Sequence, residues 1–566
     1  MFSLVLLGLV IIFSYGVSNV SAASGDIIYV NDSSGNDAWN GLNSTYISGI
    51  DGPKATIKNA TSTVISGGTV YIAKGNYSEN NITINNNMNI IGESKSDTLI
   101  NGENSGTIFD ITSDVIVNIS NLTFINGNTD NGGAIYNNGY LTLTGCDLIN
   151  NTAGVSGGAI YNSGTLNPIG SNFINNTSAN FGGAIYSDGI LNVTGGTFSS
   201  NMGGMGGAIY NYNVLFVSGS NFTNNTGCDG GAIVNEGSLI ETGSTFTSNN
   251  AMCAGGAIIT FNDCTLTVNN GTFTGNSANF GGAFVNYGEV DVTGSTFKNN
   301  TANQWGGVIY NYGTGNFHFN RIIGNTAGKG NAIYNYYSTM DASDNWWGDN
   351  NGPSIGNDVV GLTIPSWLVL KLSANPISIQ YNSHSTIIAD LRYDNLGSLA
   401  GGYLPNGIPV TFTTNLGTIN PSSTFNGIAT SILTSGGTGG TATISAYLDS
   451  QPVSTFVIIK DTIPPKISST SPKNGAKGIS RTATIAIKFS EKIKNSSFWS
   501  KIMVKNSKGQ TVKISKSISG TTLNIKTRTK RTANSWYTVT IPRAAIKDLA
   551  GKNLQANYTF KFKTGK

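Results

Sequence analysis

The segment Gly132-Gly-Ala-Ile-Tyr-Asn137 returns, with conservative changes, from Gly157, Gly182, Gly206, Gly230, Gly255, Gly281 and Gly306, and in decayed form as Gly330-Asn-Ala-Ile-Tyr-Asn335. Successive starts lie 25, 25, 24, 24, 25, 26, 25 and 24 residues apart. A second element keeps the same frame. Leu148, Phe173, Phe198, Phe222, Phe246, Phe273, Phe297 and Ile322 are each followed three residues later by Asn: Asn151, Asn176, Asn201, Asn225, Asn249, Asn276, Asn300 and Asn325. Self-similarity at a fixed period of this length marks a stack of like supersecondary units, and it restricts the fold more than any other feature of the chain.

Between the two elements runs a period-2 stretch, seen in Leu141-x-Leu143, Leu191-x-Val193, Leu215-x-Val217 and Val290-x-Val292. Each coil thus offers three short strands broken by Gly and Asn turns. Three short strands cannot bury their apolar faces alone, but stacking coils along an axis buries them and pairs each strand with its neighbour. The expected fold is all-β, a right-handed parallel β-helix. Composition agrees: charged residues are 11% and hydrophobic residues 39%, enough for a core when they recur in register.

Within such a stack the Asn series is expected to form a structural ladder, side chain to side chain. The Gly pair fits a tight corner with positive φ; it is no phosphate cradle, because no helix follows it. Less regular strand-and-turn segments, Ile28-Tyr-Val-Asn31 through Val117-x-Ile119, are expected to cap the start, and Trp346 with Trp347 to plug the end. The plug competes with a carbohydrate-stacking role for those Trp.

Residues 2–13 are apolar but short for a bilayer, and Val20-Ser21-Ala22 follows. They read as a signal peptide, 1–22; uncleaved, the segment would be a membrane anchor. Sequons at Asn81, Asn118, Asn221 and Asn557 fit export.

The paired GGAI and FxxN elements, over about 130–350, resemble the repeats of polymorphic outer-membrane proteins and of adhesin-like surface proteins of methanogenic archaea. The resemblance implies a right-handed β-helix over 23–355 and a cell-surface role, with a glycan or protein on another cell or on the producing cell's wall as partner. Residues 366–460, with Gly407-Ile-Pro-Val-Thr-Phe412 and Ala442-Thr-Ile-Ser-Ala446, resemble the invasin-type bacterial Ig-like domain. Asp461-Thr-Ile-Pro-Pro465 reads as a stiff linker. The rest of 461–566 resembles the Ig-like domain of S-layer proteins, on Ser471-Pro-Lys-Asn-Gly475, Ile485-x-Ile487-x-Phe489-Ser-Glu491 and Tyr537-x-Val539-x-Ile541. In relatives both modules are stalk or wall-associated pieces.

The net charge of +3 conceals an asymmetry: residues 466–566 hold 22 Lys and Arg against Glu491 and Asp548, a balance of +20, while the other 10 basic and 27 acidic residues give −17. Against a merely solvated surface, this suggests an anion-binding module for an anionic wall or glycan, with Lys501, Lys505, Lys513, Lys526 and Arg528 flanking or alternating with apolar positions. Nucleic acid is not expected in an exported chain without a base-reading motif.

The alternative class is a polysaccharide lyase or hydrolase of the pectate-lyase-like β-helix type. Such chemistry needs clustered carboxylates with a basic partner, or two suitably spaced carboxyls. From 131 to 345 the only basic residues are Lys298, Arg321 and Lys329, with His318, and the ten acids are dispersed. The best pair, Glu289 and Asp291, reads as outer-face polarity, so no catalytic residue, metal ligand or cofactor is expected. Gly227-Cys-Asp-Gly-Gly231 has a Gly/Asp look, but its Asp does not recur.

Cys228 and Cys253 each precede a Gly pair by two residues and so should fall on adjacent coils, about 4.8 Å apart, as a disulfide, leaving Cys146 and Cys264 unpaired. Finally, if the Ile of each motif points inward, alternation sends Tyr136, Tyr161, Tyr186, Tyr210, Tyr310 and Tyr334 outward as a stripe suited to sugar or protein. Val234, Ile259 and Val285 hold the same position and suit either face.

Overall fold

The computed structural model describes residues 26–566, which divide into two compact units: one runs to residue 369 and adds 392–405, the other comprises 370–391 and 406–566. The apolar run 2–13 and the expected cleavage after Ala22 lie outside the described residues.

In the first unit, strands of successive coils pair in parallel in three long sheets of 13, 12 and 11 strands, giving the parallel β-helix that the repeat predicts. One coil shows why. Gly157 turns the chain at φ +65° into Ile160–Asn162, then Thr165–Ile169; Gly170 turns it at φ +57° into Asn172–Ile174, and Asn175 at φ +54°. A Cβ on Gly157 would stand 2.1 Å from the Ile160 carbonyl oxygen, so both the dihedral and the contact demand glycine. The motif Ile side chains stack in register, Ile135 on Ile160 on Ile185, wholly buried. The Phe rings pile face to face from Phe173 to Phe297, with centroids 4.6 to 5.0 Å apart.

The Asn series closes this core. Each Nδ2 donates to the Oδ1 of the Asn one coil on, at 2.9 to 3.1 Å from Asn151 through to Asn325. Each also donates to a core carbonyl one coil back, as Asn201 does to Phe173 at 2.9 Å. The residue before each Asn sits in the left-handed region, which explains why Asn, Ser or Gly precedes it. A second ladder, which sequence reasoning missed, uses the last residue of the GGAIYN motif: Asn137 to Asn162 at 2.6 Å, Asn211 to Asn235, Asn286 to Asn311 and Asn311 to Asn335 at 2.8 Å. Ser187 and Thr260 stand in that series where Asn is missing.

Three findings depart from the expected coil. A fourth strand follows the ladder Asn in many coils, forming a three-stranded sheet that starts at Asn128–Asn131 and a five-stranded sheet from Thr226–Asp229 to Thr326–Lys329. A helix, Ile57–Thr63, sits at the start, with Ile57 and Ala60 wholly buried in the core and the Glu79 carboxylate accepting from the Ile57 and Lys58 amides at its first turn. At the other end, Val359–Val360 pairs with Ile333–Asn335, so coils continue past residue 355. Trp346 is fully buried there and Trp347 half-buried against the core, which leaves Trp346 no face for a sugar.

The second unit holds two β-sandwiches. In the first module, His384–Asp394 pairs antiparallel with Ile428–Thr434, and Gly440–Leu448 with both Pro409–Thr414 and Gln451–Lys460. In the second, Ile485–Phe489 and Thr522–Thr527 lie in one sheet, Met503–Asn506, Trp536–Ile541 and Tyr558–Lys563 in another. Ile487 and Ile525 meet Val504, Val539 and Phe562 in one core between them.

Candidate functional site

Because the motif Ile points inward, the next residue projects from the opposite face of its strand. Tyr136, Tyr161 and Tyr186 therefore stack outside the core, half-buried, with centroids 4.8 and 4.9 Å apart and near-parallel rings. The Tyr161 hydroxyl donates to Asp188 at 3.2 Å, and burial, followed by the Asp188 charge, pushes its pKa up to about 12.

Along the next coils the row changes character. Tyr210 and Tyr310 are buried, and with Val234, Ile259 and Val285 they make a separate apolar cluster packed against Phe181, Met205, Phe280 and Trp305. Those covering side chains come from the segment that also supplies the fourth strand. The expected continuous stripe is thus interrupted: Tyr210 and Tyr310 are packing residues, and Tyr334, half-buried, stacks on Trp305 at 5.2 Å. The alternation was right about direction; it carried no information about what lies over the outer face.

A different row emerges at the position just after the motif Asn. Phe261, Tyr287, Tyr312 and Tyr336 follow one another at 6.1, 5.2 and 4.7 Å, and each backbone amide makes the same inter-coil hydrogen bond. Tyr312 and Tyr336 are 38% and 39% exposed, and Tyr337, edge-on to Tyr336, is 94% exposed. Sequence reasoning missed this row, although the signal was available one residue beyond the motif it had aligned.

Cys228 and Cys253 lie on the paired strands Thr226–Asp229 and Asn250–Ala254, with sulfurs 2.7 Å apart and Asp229 beside them. Both are thiols here, and the Cys228 thiol is pushed up to about 11, first by its hydrogen bond with Cys253 and then by burial. Cys146 faces the core, where burial raises it to about 11; Cys264 lies by Asn262, accepting no sulfur partner among the described residues.

Lys501, Lys505, Lys513, Lys526 and Arg528 are all exposed. They do not converge on one face: Lys505 lies on one sheet of the sandwich and Lys526 on the other. Glu289 and Asp291 are exposed on the outer face, flanked in register by Thr265 and Thr314 and by Thr267 and Asn316. The sequon residues Asn81, Asn118, Asn221 and Asn557 are exposed. Among the described residues, no helix is long and apolar enough to cross a membrane.

Residues 461–564 match the family of bacterial Ig-like domains, and residues 145–163, 170–188 and 294–312 match the Chlamydia polymorphic membrane protein repeat. No match is found among curated proteins. Solved structures similar to part of the chain include the Yersinia pseudotuberculosis adhesin InvE, at 17% identity and a TM-score of 0.24, covering 34% of this chain and 58% of that one. Others are the Escherichia coli adhesin FdeC, at 10% and 0.19, covering 34% and 63%, and a tandem of titin Ig domains, at 8% and 0.21, covering 36% and 98%. The chain thus spans less than two thirds of either adhesin.

Proposed function

We propose that the chain is an exported cell-surface protein of the adhesin type, whose β-helix presents aromatic rows to a glycan or protein and whose basic Ig-like module contacts an anionic wall or glycan. The observation that carries this reading is the exposed pair Tyr312 and Tyr336, amphipathic rings one coil apart that continue from half-buried Tyr287, with exposed Tyr337 beside Tyr336. The polymorphic membrane protein repeats and the bacterial Ig-like match support a surface location, and the exposed sequons agree with it. In this reading the Lys-rich module, which matches the bacterial Ig-like family, acts as a wall-associated piece.

The proposal includes no catalysis. Glu289 and Asp291 have Thr and Asn on either side in register, and no basic side chain stands opposite them. Binding of the full chain and of a Tyr312→Ala/Tyr336→Ala variant to a glycan array tests the reading. Loss of binding by about tenfold or more, with unchanged far-UV dichroism, is expected, since one to two lost aromatic contacts cost about that much. Equal binding by both proteins would reject the row as the binding surface.

A further inference from the structure

Residues 466–566 contain only two acids, and both lie at one spot. Glu491 follows Ile485–Phe489, and Asp548 ends Ile546–Asp548, which pairs antiparallel with Ile493–Asn495 so that Ile493 stands opposite Asp548. A third carboxylate joins them from the linker. Asp461, directly after the last strand of the first module, Gln451–Lys460, has its Oδ1 held by the Ile463 amide at 3.0 Å, and the Tyr381 hydroxyl is hydrogen-bonded to its carboxylate. One carboxylate oxygen of each residue lies within 4.8 Å of the other two.

A cluster of acids alone would carry little weight. The second observation is the state of Asp548. It is wholly buried; its Oδ1 accepts from the Lys552 amide at 2.7 Å, and its Oδ2 has no hydrogen-bond partner. A buried carboxylate oxygen without a partner is costly. Although the module carries 22 Lys and Arg, none of their side-chain nitrogens reaches ion-pair distance of these three acids among the described residues. At that separation, and with no cation at ion-pair distance, the three carboxylates repel one another as they stand.

We infer that Asp461, Glu491 and Asp548 form a Ca2+ site at the joint between the two Ig-like modules. The donor set is hard oxygen throughout, which selects Ca2+ or Mg2+ over softer metals. Oxygens within 4.8 Å of one another can share one ion; Ca2+ accepts about six to eight oxygens in irregular geometry, whereas Mg2+ demands a near-ideal octahedron, so three carboxylates from a linker and two strand ends suit Ca2+ better. The site opens to a cleft of about 860 Å3 lined by Tyr381, Gly439, Lys460, Asp461, Glu491 and Lys552, leaving room for water to complete the coordination. Bound Ca2+ gives Asp548 Oδ2 its partner, removes the repulsion and ties the linker to the second module. This inference stands independently of what the aromatic rows bind.

The test is calorimetry of the full chain after EDTA treatment and dialysis, titrated with CaCl2, beside thermal unfolding. Expected are saturable binding at one site with a dissociation constant of about 10⁻⁴–10⁻³ M and a rise of a few degrees in the unfolding midpoint at 10-fold excess, with a smaller rise in MgCl2. Glu491→Gln and Asp548→Asn should each remove the heat and the shift, and in EDTA neither should unfold below the unsubstituted chain, because each removes a repelling charge. Should Asp548→Asn not fold, the half-buried Glu491→Gln carries the test, its fold checked by near-UV dichroism. Absence of heat and shift at 10 mM CaCl2, or undiminished binding in Glu491→Gln, overturns the inference.

Discussion

Glu241 occupies a position that neighbouring coils fill with Val, standing between Val217 and Val268 in register and wholly buried. Its Oε1 accepts from the Ser244 amide while Oε2 has no partner, and burial pushes its pKa from 4.5 up to about 7. A carboxyl that holds its proton more tightly when folded stabilises the fold at low pH, and that contribution is lost as pH rises from about 4.5 through about 7, a loss on the order of 3 kcal/mol. Glu241→Val should therefore raise the unfolding midpoint at pH 8 and flatten its pH dependence; a variant no more stable than the parent at pH 8 would contradict this. Asn225 is the opposite case. Its side chain makes four buried hydrogen bonds, accepting from the amide and side chain of Asn201 and donating to Asn249 and to the Phe198 carbonyl. Asn225→Ala should cost roughly 3 kcal/mol, since several buried groups lose their partners at once, whereas Asn221→Ala on the surface should cost under about 0.5 kcal/mol; urea unfolding separates the two. Both residues were open to reading from the sequence, but only Asn225 by its recurrence: Glu241 is visible only as a break in a series, and nothing in a series says whether a break is harmless.

At the scale of elements, the three strands of each coil were legible because their inward residues repeat in kind, Ile, Leu or Val, and Phe. The fourth strand was not. It buries little more than one small side chain per coil, as at Ala153, Ala251, Ala278 and Ala302, and its register shifts where it bulges, so period 2 breaks within it. That element decided the fate of the Tyr row, because Phe181, Met205, Phe280 and Trp305, which cover Tyr210 and Tyr310, belong to this stretch. It also carries Cys228 and Cys253. With sulfurs 2.7 Å apart on neighbouring strands, oxidation needs little backbone movement. Peptide mapping of protein exported to an oxidising compartment should find the Cys228–Cys253 bridge, with Cys146 alkylated only after unfolding. The bridge closes a loop of roughly one coil and should add about 3 kcal/mol; a fully reduced pair in such material would show that the fourth sheet keeps the sulfurs as thiols.

Charge is the property that only the whole chain displays. The basic module carries +20 and the remainder −17, and no ion pair within 466–566 offsets that balance among the described residues; the pairs Lys95 with Asp147 and His318 with Asp341 lie outside it. The five cations singled out lie on both sheets of the sandwich and in the connections between strands, so an anionic polymer would meet a diffuse positive field rather than a fitted pocket. A diffuse field has a distinct signature. Exposed charges interact over about 8 Å at physiological salt and about 3 Å at 1 M, so attachment that depends on many of them should weaken steeply across that range. Co-sedimentation of the full chain with cell walls is expected to fall by at least about tenfold between 0.05 and 1 M NaCl. Changing Lys501, Lys505, Lys513, Lys526 and Arg528 together to Gln should weaken binding only several-fold and make its salt dependence shallower, because 17 other cations remain in 466–566. The Tyr312→Ala/Tyr336→Ala variant should sediment with walls as the parent does, since its rings belong to the β-helix. Sedimentation unchanged from low to molar salt, or complete loss on removing those five charges alone, would contradict a distributed electrostatic attachment: the first would point to uncharged contacts, the second to a single localised site.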